Sequence, residues 1–262
     1  MGRPFVPAAI RSSTDRRCQV LRGILVPHSR VLPAKGGPFF VLQAVLFDFD
    51  MTLIDSSDAM LNSFRLLSER FGFPPVTRER LMEFIGLHDE AYWREAIGGI
   101  SEEILDYYRQ VCLPSELPLF RPLDGTVQCL KNLRRRGLAT GCATNRRTGD
   151  AILRQTGLWD LMDCSIGAGQ VPNPKPAPDM LLLAMEKLGA SPECTVYVGD
   201  TDLDVAAGVA AGVRVVALTT STDEKTLRRA GAWRVCAAPS ELEGLLAGEG
   251  LLAPDDGNCR PN

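Results

Sequence analysis

The chain has 262 residues, 45% of them apolar, which suits one large or two modest globular domains. No apolar run approaches the ~18 residues that a membrane span requires. The net charge is −3, but residues 1–40 hold seven Arg/Lys and one acid, so the remainder, with 22 basic against 31 acidic residues, stands at −9 and argues against broad nucleic-acid binding.

Residues 1–40 are rich in Arg and Pro and show little periodicity. They read as a disordered extension or as an organelle transit peptide. Without such a peptide a cytoplasmic protein is expected, because the eight scattered cysteines lack CxxC spacing and read as reduced, mostly buried thiols. From residue 41, VLQAVLFDF predicts a buried strand that runs into FDFDMTLIDS. Side chains alternate along an extended chain, so Asp48 and Asp50 fall on one face. Two carboxylates that close repel; they invite a cation or push one pKa upward. The plainer alternative is a strand that runs into solvent, with an acid capping the next element.

Residues 56–72 have helical spacing and end at Gly72. Further helices are predicted from Thr77 toward Phe84, over 89–97 and over 101–112. Pro114, Pro118 and Pro122 then mark an extended return. Residues 56–122 thus form a helical block with no convincing strand. After Leu123 the rhythm alternates. Asp124 is expected to cap a helix through Leu133; LATGCAT is a strand; 147–156 is a helix; DCSIGA is a weak strand; 178–188 is a helix. TVYVGD, RVVALT and RVCAA are strands, separated by helices at 203–211 and 223–230 and followed by one near 240–247. The tail from Gly248 is expected to fray.

This alternation implies an α/β fold with a doubly wound parallel sheet. The expected divisions are an extension (1–40), a core (41–55 and 123–247), an inserted all-helical lid (56–122) and a tail (248–262). In open α/β sheets, ligands sit at the carboxyl ends of the strands. Those ends carry Asp48 and Asp50, then Ala143-Thr144-Asn145, then the loop Asn173-Pro174-Lys175-Pro176, then Gly199-Asp200-Thr201-Asp202-Leu203-Asp204. Singly, Thr144 or Asn145 could be a helix cap, Lys175 a solvated lysine, and Asp200 and Asp202 turn formers. Together they supply carboxylates, a hydroxyl and a lysine to one sheet edge. That inventory suits phosphoryl transfer: a hard divalent cation neutralises carboxylates, Thr144 and Lys175 hold phosphate oxygens, and a carboxylate attacks phosphorus. Two lookalikes fail. DTDLD has Val205 and Ala211 where a calcium loop needs Gly and Glu, and GAGQVP has Pro172 where a dinucleotide loop needs Gly.

FDFDMTL, ATN, the lysine of NPKPAPD and GDTDLD resemble the four motifs of the haloacid dehalogenase-like superfamily, and the helical block resembles its helical cap. The resemblance covers about residues 41–247 and is most similar to phosphoglycolate phosphatase-like members. It implies a phosphatase acting on a small phosphorylated metabolite. Asp48 would be the nucleophile and would form an aspartyl-phosphate. Asp50 would be the general acid and base. The Asp48 carboxylate, the Asp50 backbone carbonyl and the Asp200 carboxylate would hold Mg²⁺. Thr144 and the Asn145 amide would bind phosphate, Lys175 would offset charge on the nucleophile Asp48 and on the transferring group, and Asp204 would orient Lys175. Asp50 favours phosphate chemistry over dehalogenation, because a halide leaves without a proton. Residues 56–122 contain no lysine, which removes a Schiff-base phosphonate hydrolase.

His88 and Arg94 are candidate substrate contacts, each with an alternative as a turn or surface residue; Arg65 is a weaker one. Pyrophosphatase, nucleotidase and sugar-phosphate mutase relatives share these motifs. One residue departs from the pattern: Met51 stands where family members have Gly. A Met forced to φ > 0 would carry ~1–2 kcal/mol of strain. That keeps open a non-catalytic phosphate-binding module.

Overall fold

The computed structural model describes residues 41–147 and 149–253. The readings for residues 1–40 and for 254–262 lie outside them. The first strand, β1 (Ala44–Phe47), is wholly buried. The chain then turns through Phe49–Leu53 into a two-residue strand, β2 (Ile54–Asp55). A helical block comes next: α1 (Ser57–Phe71), α2 (Arg78–Met82), α3 (Asp89–Ile97), α4 (Glu102–Tyr107) and α5 (Leu113–Glu116). The side chains of Thr77 and Ser101 cap α2 and α4, each accepting an amide bond from the residue three positions on.

Two expectations for this block fail. The prolines do not mark one extended return: Pro114 lies within α5, and Pro118 lies in a 3₁₀ turn over Leu117–Leu119. Proline fits the first turn of a helix, where its missing N–H is not needed. The block also ends in a strand, β3 (Arg121–Pro122), which pairs antiparallel with β2. The two connections between block and sheet are therefore tied together as a ribbon.

The rest alternates: α6 (Thr126–Arg135), β4 (Ala139–Thr144), α7 (Gly149–Gln155), β5 (Cys164–Gly167), α8 (Asp179–Leu188), β6 (Thr195–Gly199), α9 (Asp202–Ala210), β7 (Arg214–Leu218), α10 (Glu224–Ala230), β8 (Arg234–Cys236) and α11 (Leu242–Gly248). The cap of α6 is Gly125, in a left-handed conformation, and not Asp124. Beyond α11 the chain does not fray at once. Leu251 is buried in the core, and its carbonyl accepts a bond from the Leu42 amide.

The sheet order is β5-β4-β1-β6-β7-β8, and every neighbouring pair is parallel. Alternation along β1 sends Val45 and Phe47 to one apolar layer, with Leu130, Leu133 and Leu246, and Leu46 to the opposite layer, with Met180, Leu181 and Val205. A third cluster lies in the helical block around Phe64, Phe84 and Trp93, and Met51 packs into it. β1 lies between β4 and β6, so the chain leaves its two sides in opposite directions, and a crevice opens at the carboxyl ends of these strands.

Candidate active site

Asp48 follows β1 and is 3% exposed. Its amide donates to the Val198 carbonyl, which fixes the backbone beside β6. Lys175 approaches from the loop after β5 and is 5% exposed, so the solvated-lysine alternative is lost. Its Nζ donates to Asp48 Oδ1, to Asp204 Oδ1 at 2.7 Å and to the Tyr197 hydroxyl at 3.0 Å. A buried ammonium survives only with such partners, and its pKa is raised because Asp204 and Asp48 outweigh the burial that opposes its charge.

Asp204 sits in the first turn of α9. Its Oδ2 accepts from the Thr201 hydroxyl at 2.6 Å and from the Thr201 amide at 3.1 Å, closing a capping box. Its Oδ1 also accepts from Tyr197 at 2.7 Å. Burial works against its charge, but Lys175 and these donors hold its pKa below the ordinary carboxylate value. Gly199 makes this approach feasible, since a Cβ there would lie 2.4 Å from Asp204 Cβ.

Asp200 is fully buried and accepts from the Thr52 hydroxyl at 2.7 Å and from Ser221. Burial, then the charges of Asp204 and Asp48, raise its pKa well above the usual range. Burial likewise pushes Asp48 up to about 7, against the pull of Lys175. Carboxylate oxygens of Asp48, Asp200 and Asp204 lie within 4.8 Å of one another. Three carboxylates face one lysine, so the cluster lacks positive charge. Its hard oxygen donors fit a divalent cation such as Mg²⁺. Asp204 already spends both oxygens on Lys175, Tyr197 and Thr201, which leaves Asp48 and Asp200 as the better side-chain ligands.

Asp50 does not share Lys175 with Asp48; it has a cation of its own. Nε of Arg146, two residues beyond Thr144, donates to both Asp50 oxygens at 2.8 and 2.7 Å. The guanidinium lies over the rings of Phe120 and Phe49, and its Nη1 is 4.0 Å from Glu116 of α5. Sequence reasoning missed Arg146, Glu116 and Tyr197. Arg146 had a signal, a cation directly after ATN. Glu116 and Tyr197 had none, since both look like ordinary helix and strand residues.

Thr144 is buried at the end of β4, and its hydroxyl accepts from the Arg146 amide at 3.1 Å. It caps no helix, since α7 begins at Gly149. The Asn145 side chain clamps two loops. Its Nδ2 donates to the Gly86 carbonyl at 2.9 Å and its Oδ1 accepts from the Lys175 amide at 3.0 Å. Gly86, between α2 and α3, has φ +86°, and a Cβ there would be 3.1 Å from Thr201 Cγ2.

Beside Lys175 opens a cleft of about 520 Å³ whose other wall includes His88 and Arg94 of the helical block. Those two candidates thus share a cleft with Lys175, whose lining does not include Asp48, Asp50 or Asp200. Arg65 does not: it lies on the exposed face of α1, paired with Glu69 at 2.6 Å and Asn62 at 3.0 Å. Met51 has φ +55°, the one positive φ at a non-glycine residue among those described. Its side chain is nevertheless 4% exposed.

Residues 45–218 match the family model described as haloacid dehalogenase-like hydrolase. An N-acetylmuramic acid 6-phosphate phosphatase from Pseudomonas aeruginosa is 29% identical over 188 residues, covering 68% of this chain and 81% of that protein. Phosphoglycolate phosphatase 1 from the same organism is 33% identical over 197 residues, covering 70% and 72%. The crystal structure of a hydrolase of this family from Deinococcus radiodurans, with bound phosphate and sodium, aligns with a TM-score of 0.66 at 28% identity, covering 82% of this chain and 99% of that one.

Proposed function

The chain belongs to the haloacid dehalogenase-like hydrolase family, and from that membership we propose that it is a Mg²⁺-dependent phosphatase of small phosphomonoesters, working through an aspartyl-phosphate on Asp48. One observation carries the reading: Asp48, Lys175 and Asp200, from three separate strand ends, meet in one buried cluster. Such convergence of desolvated, charge-coupled groups in a crevice marks a functional site better than any single motif does. The names of the two Pseudomonas relatives, both phosphatases with different substrates, support the activity and leave its substrate open.

In this reading Asp48 attacks phosphorus while Lys175 offsets the charge gathered on nucleophile and phosphoryl group. Thr144 and the Asn145 amide hold phosphate oxygens. Asp50 gives a proton to the leaving oxygen and later takes one from the attacking water. Asp48, the Asp50 carbonyl and Asp200 would hold the cation, which supplies charge neutralisation and fixes the phosphoryl group in place. The substrate class we favour is a small, phosphoglycolate-like ester, with His88 and Arg94 facing its remote end across the cleft.

The test is turnover of p-nitrophenyl phosphate with and without Mg²⁺. Wild type turns over only with the metal, and Asp48→Asn is inert. Inactivity of wild type across divalent metals would favour the non-catalytic phosphate-binding module that Met51 keeps open. A phosphate-release screen over glycolate, sugar, nucleotide and pyrophosphate substrates then fixes specificity.

A further inference from the structure

We propose that Arg146 is a positioning residue for acid–base chemistry at Asp50, and that Glu116 makes its action depend on the helical block. The inference rests on the phosphatase reading above. Three observations carry it. Arg146 Nε bridges both oxygens of Asp50, which fixes the plane and rotamer of that carboxylate. Arg146 is itself confined: its side chain is 12% exposed, lies over Phe49 and Phe120, and follows a backbone held by the Thr144 hydroxyl. The third observation is the source of its second anion. Glu116 belongs to α5 of the block, is 1% exposed, and is held by the Ser63 hydroxyl at 2.6 Å and by Tyr108 at 3.3 Å.

The two ends of this chain of contacts are not equally tight. Arg146 Nη2 and Glu116 Oε2 are both buried without a hydrogen-bond partner, and the guanidinium approaches Glu116 only to 4.0 Å. Arg146 is therefore hydrogen-bonded to Asp50 and faces Glu116 at 4.0 Å without a direct hydrogen bond. In such surroundings charges act strongly at that distance. The block thus reaches the reacting acid through Arg146.

A carboxylate offers about four lone-pair sites, so the bridge to Nε leaves room on Asp50 for a proton. In the first step Asp48 bonds to phosphorus, and the bond from phosphorus to the leaving oxygen breaks. That oxygen keeps the electron pair and takes the proton of Asp50, so an alcohol departs and a carboxylate remains facing Arg146. In the second step water bonds to phosphorus and gives its proton to Asp50, while the phosphorus bond to Asp48 breaks with its pair returning to Asp48. In both steps Arg146 keeps Asp50 aimed at the oxygen that exchanges the proton.

A leaving group that needs no proton needs no aimed acid. Phenyl phosphate and p-nitrophenyl phosphate are nearly alike in shape, but only nitrophenolate departs readily as an anion. General acid–base catalysis supplies typically ~10²–10⁴-fold, so a misaimed acid should lose at least about tenfold of kcat/KM on phenyl phosphate beyond any loss on p-nitrophenyl phosphate. The experiment compares wild type, Arg146→Met, Arg146→Lys and Glu116→Gln on both esters at saturating Mg²⁺. The excess loss on phenyl phosphate should be large for Arg146→Met, largely recovered in Arg146→Lys and smaller in Glu116→Gln. Equal losses on the two esters, or no loss on either, overturn the inference. Should Arg146→Met not fold, Arg146→Gln against wild type carries the same comparison. If wild type cleaves both esters and Asp48→Asn neither, an even loss in the Arg146 variants sinks this inference alone. If wild type cleaves neither, the phosphatase reading fails and this inference with it.

Discussion

Met51 shows how a residue is held in a conformation it disfavours. A left-handed non-glycine backbone costs ~1–2 kcal/mol, yet φ here is +55°. Two contacts offset that cost: the Met51 side chain packs into the apolar cluster of the helical block, and its carbonyl accepts from the Thr220 hydroxyl. Burying a Met side chain is worth about 1.5–3 kcal/mol, so packing exceeds strain. Met51→Gly should therefore lower stability by about 1 kcal/mol, and Met51→Ala should be no more stable than Met51→Gly. That order reverses the usual advantage of Ala over Gly, and urea midpoints of the three proteins measure it. Glu116 bears a different load. Burial raises its pKa, more than Arg146 and the Ser63 and Tyr108 hydroxyls lower it. A carboxyl whose folded pKa is raised stabilises the fold below its unfolded value, and that contribution fades as pH climbs through the folded value. Glu116→Gln should flatten this fall in stability above pH 4.5, seen as urea midpoints across pH.

At the scale of elements, the junction between β6 and α9 is the most constrained. The strand must stop, the helix must start, and Asp204 must fold back against Gly199 while holding Lys175. A Cβ 2.4 Å from Asp204 Cβ cannot be accommodated without moving one of the two elements. Gly199→Ala should cost about 1–3 kcal/mol and reduce activity by displacing Lys175; thermal unfolding and a phosphate-release assay report the two effects. The helix and strand pattern was readable in the sequence, because apolar spacing and terminal glycines are local signals. The β2–β3 ribbon was not. Each of its strands is two residues long, and the pairing joins segments on either side of the helical block. The capping of α6 also escaped, because Asp124 and Gly125 are both acceptable caps and only the turn decides between them.

At the scale of the whole molecule, the six-stranded sheet carries a concentration of negative charge at one edge. Asp48, Asp200 and Asp204 converge there with Lys175 as their shared counter-charge. A ligand that binds the fold and not the unfolded chain stabilises it by about 2.7 kcal/mol at a hundredfold excess over Kd. Treatment with EDTA at pH 8 should lower the Tm, added Mg²⁺ should restore it, and Asp200→Asn should abolish the response. An unchanged wild-type Tm on Mg²⁺ titration would remove the metal from the proposal. The helical block sets the other boundary of the site. It closes over Arg146, the partner of Asp50, through Glu116, over Met51 through the aromatic cluster, and over Asn145 through Gly86. Among the described residues, no helix is long and apolar enough to cross a membrane.

The sequence by itself determined the α/β architecture and four strand ends rich in polar residues, because side-chain periodicity and short motifs are properties of contiguous chain. It also placed an acid pair after the first strand and flagged Met51 as the odd residue. The resemblance assigned Lys175 to the nucleophile, but only the tertiary structure showed that Asp50 has a cation of its own. Lys175 went to Asp48 and Arg146 to Asp50, across 127 and 96 residues of chain. Such pairings depend on where β4, β5 and the helical block lie around β1. A charge finds its partner by distance in space and by exclusion of water, and neither is written in the spacing of residues along the chain.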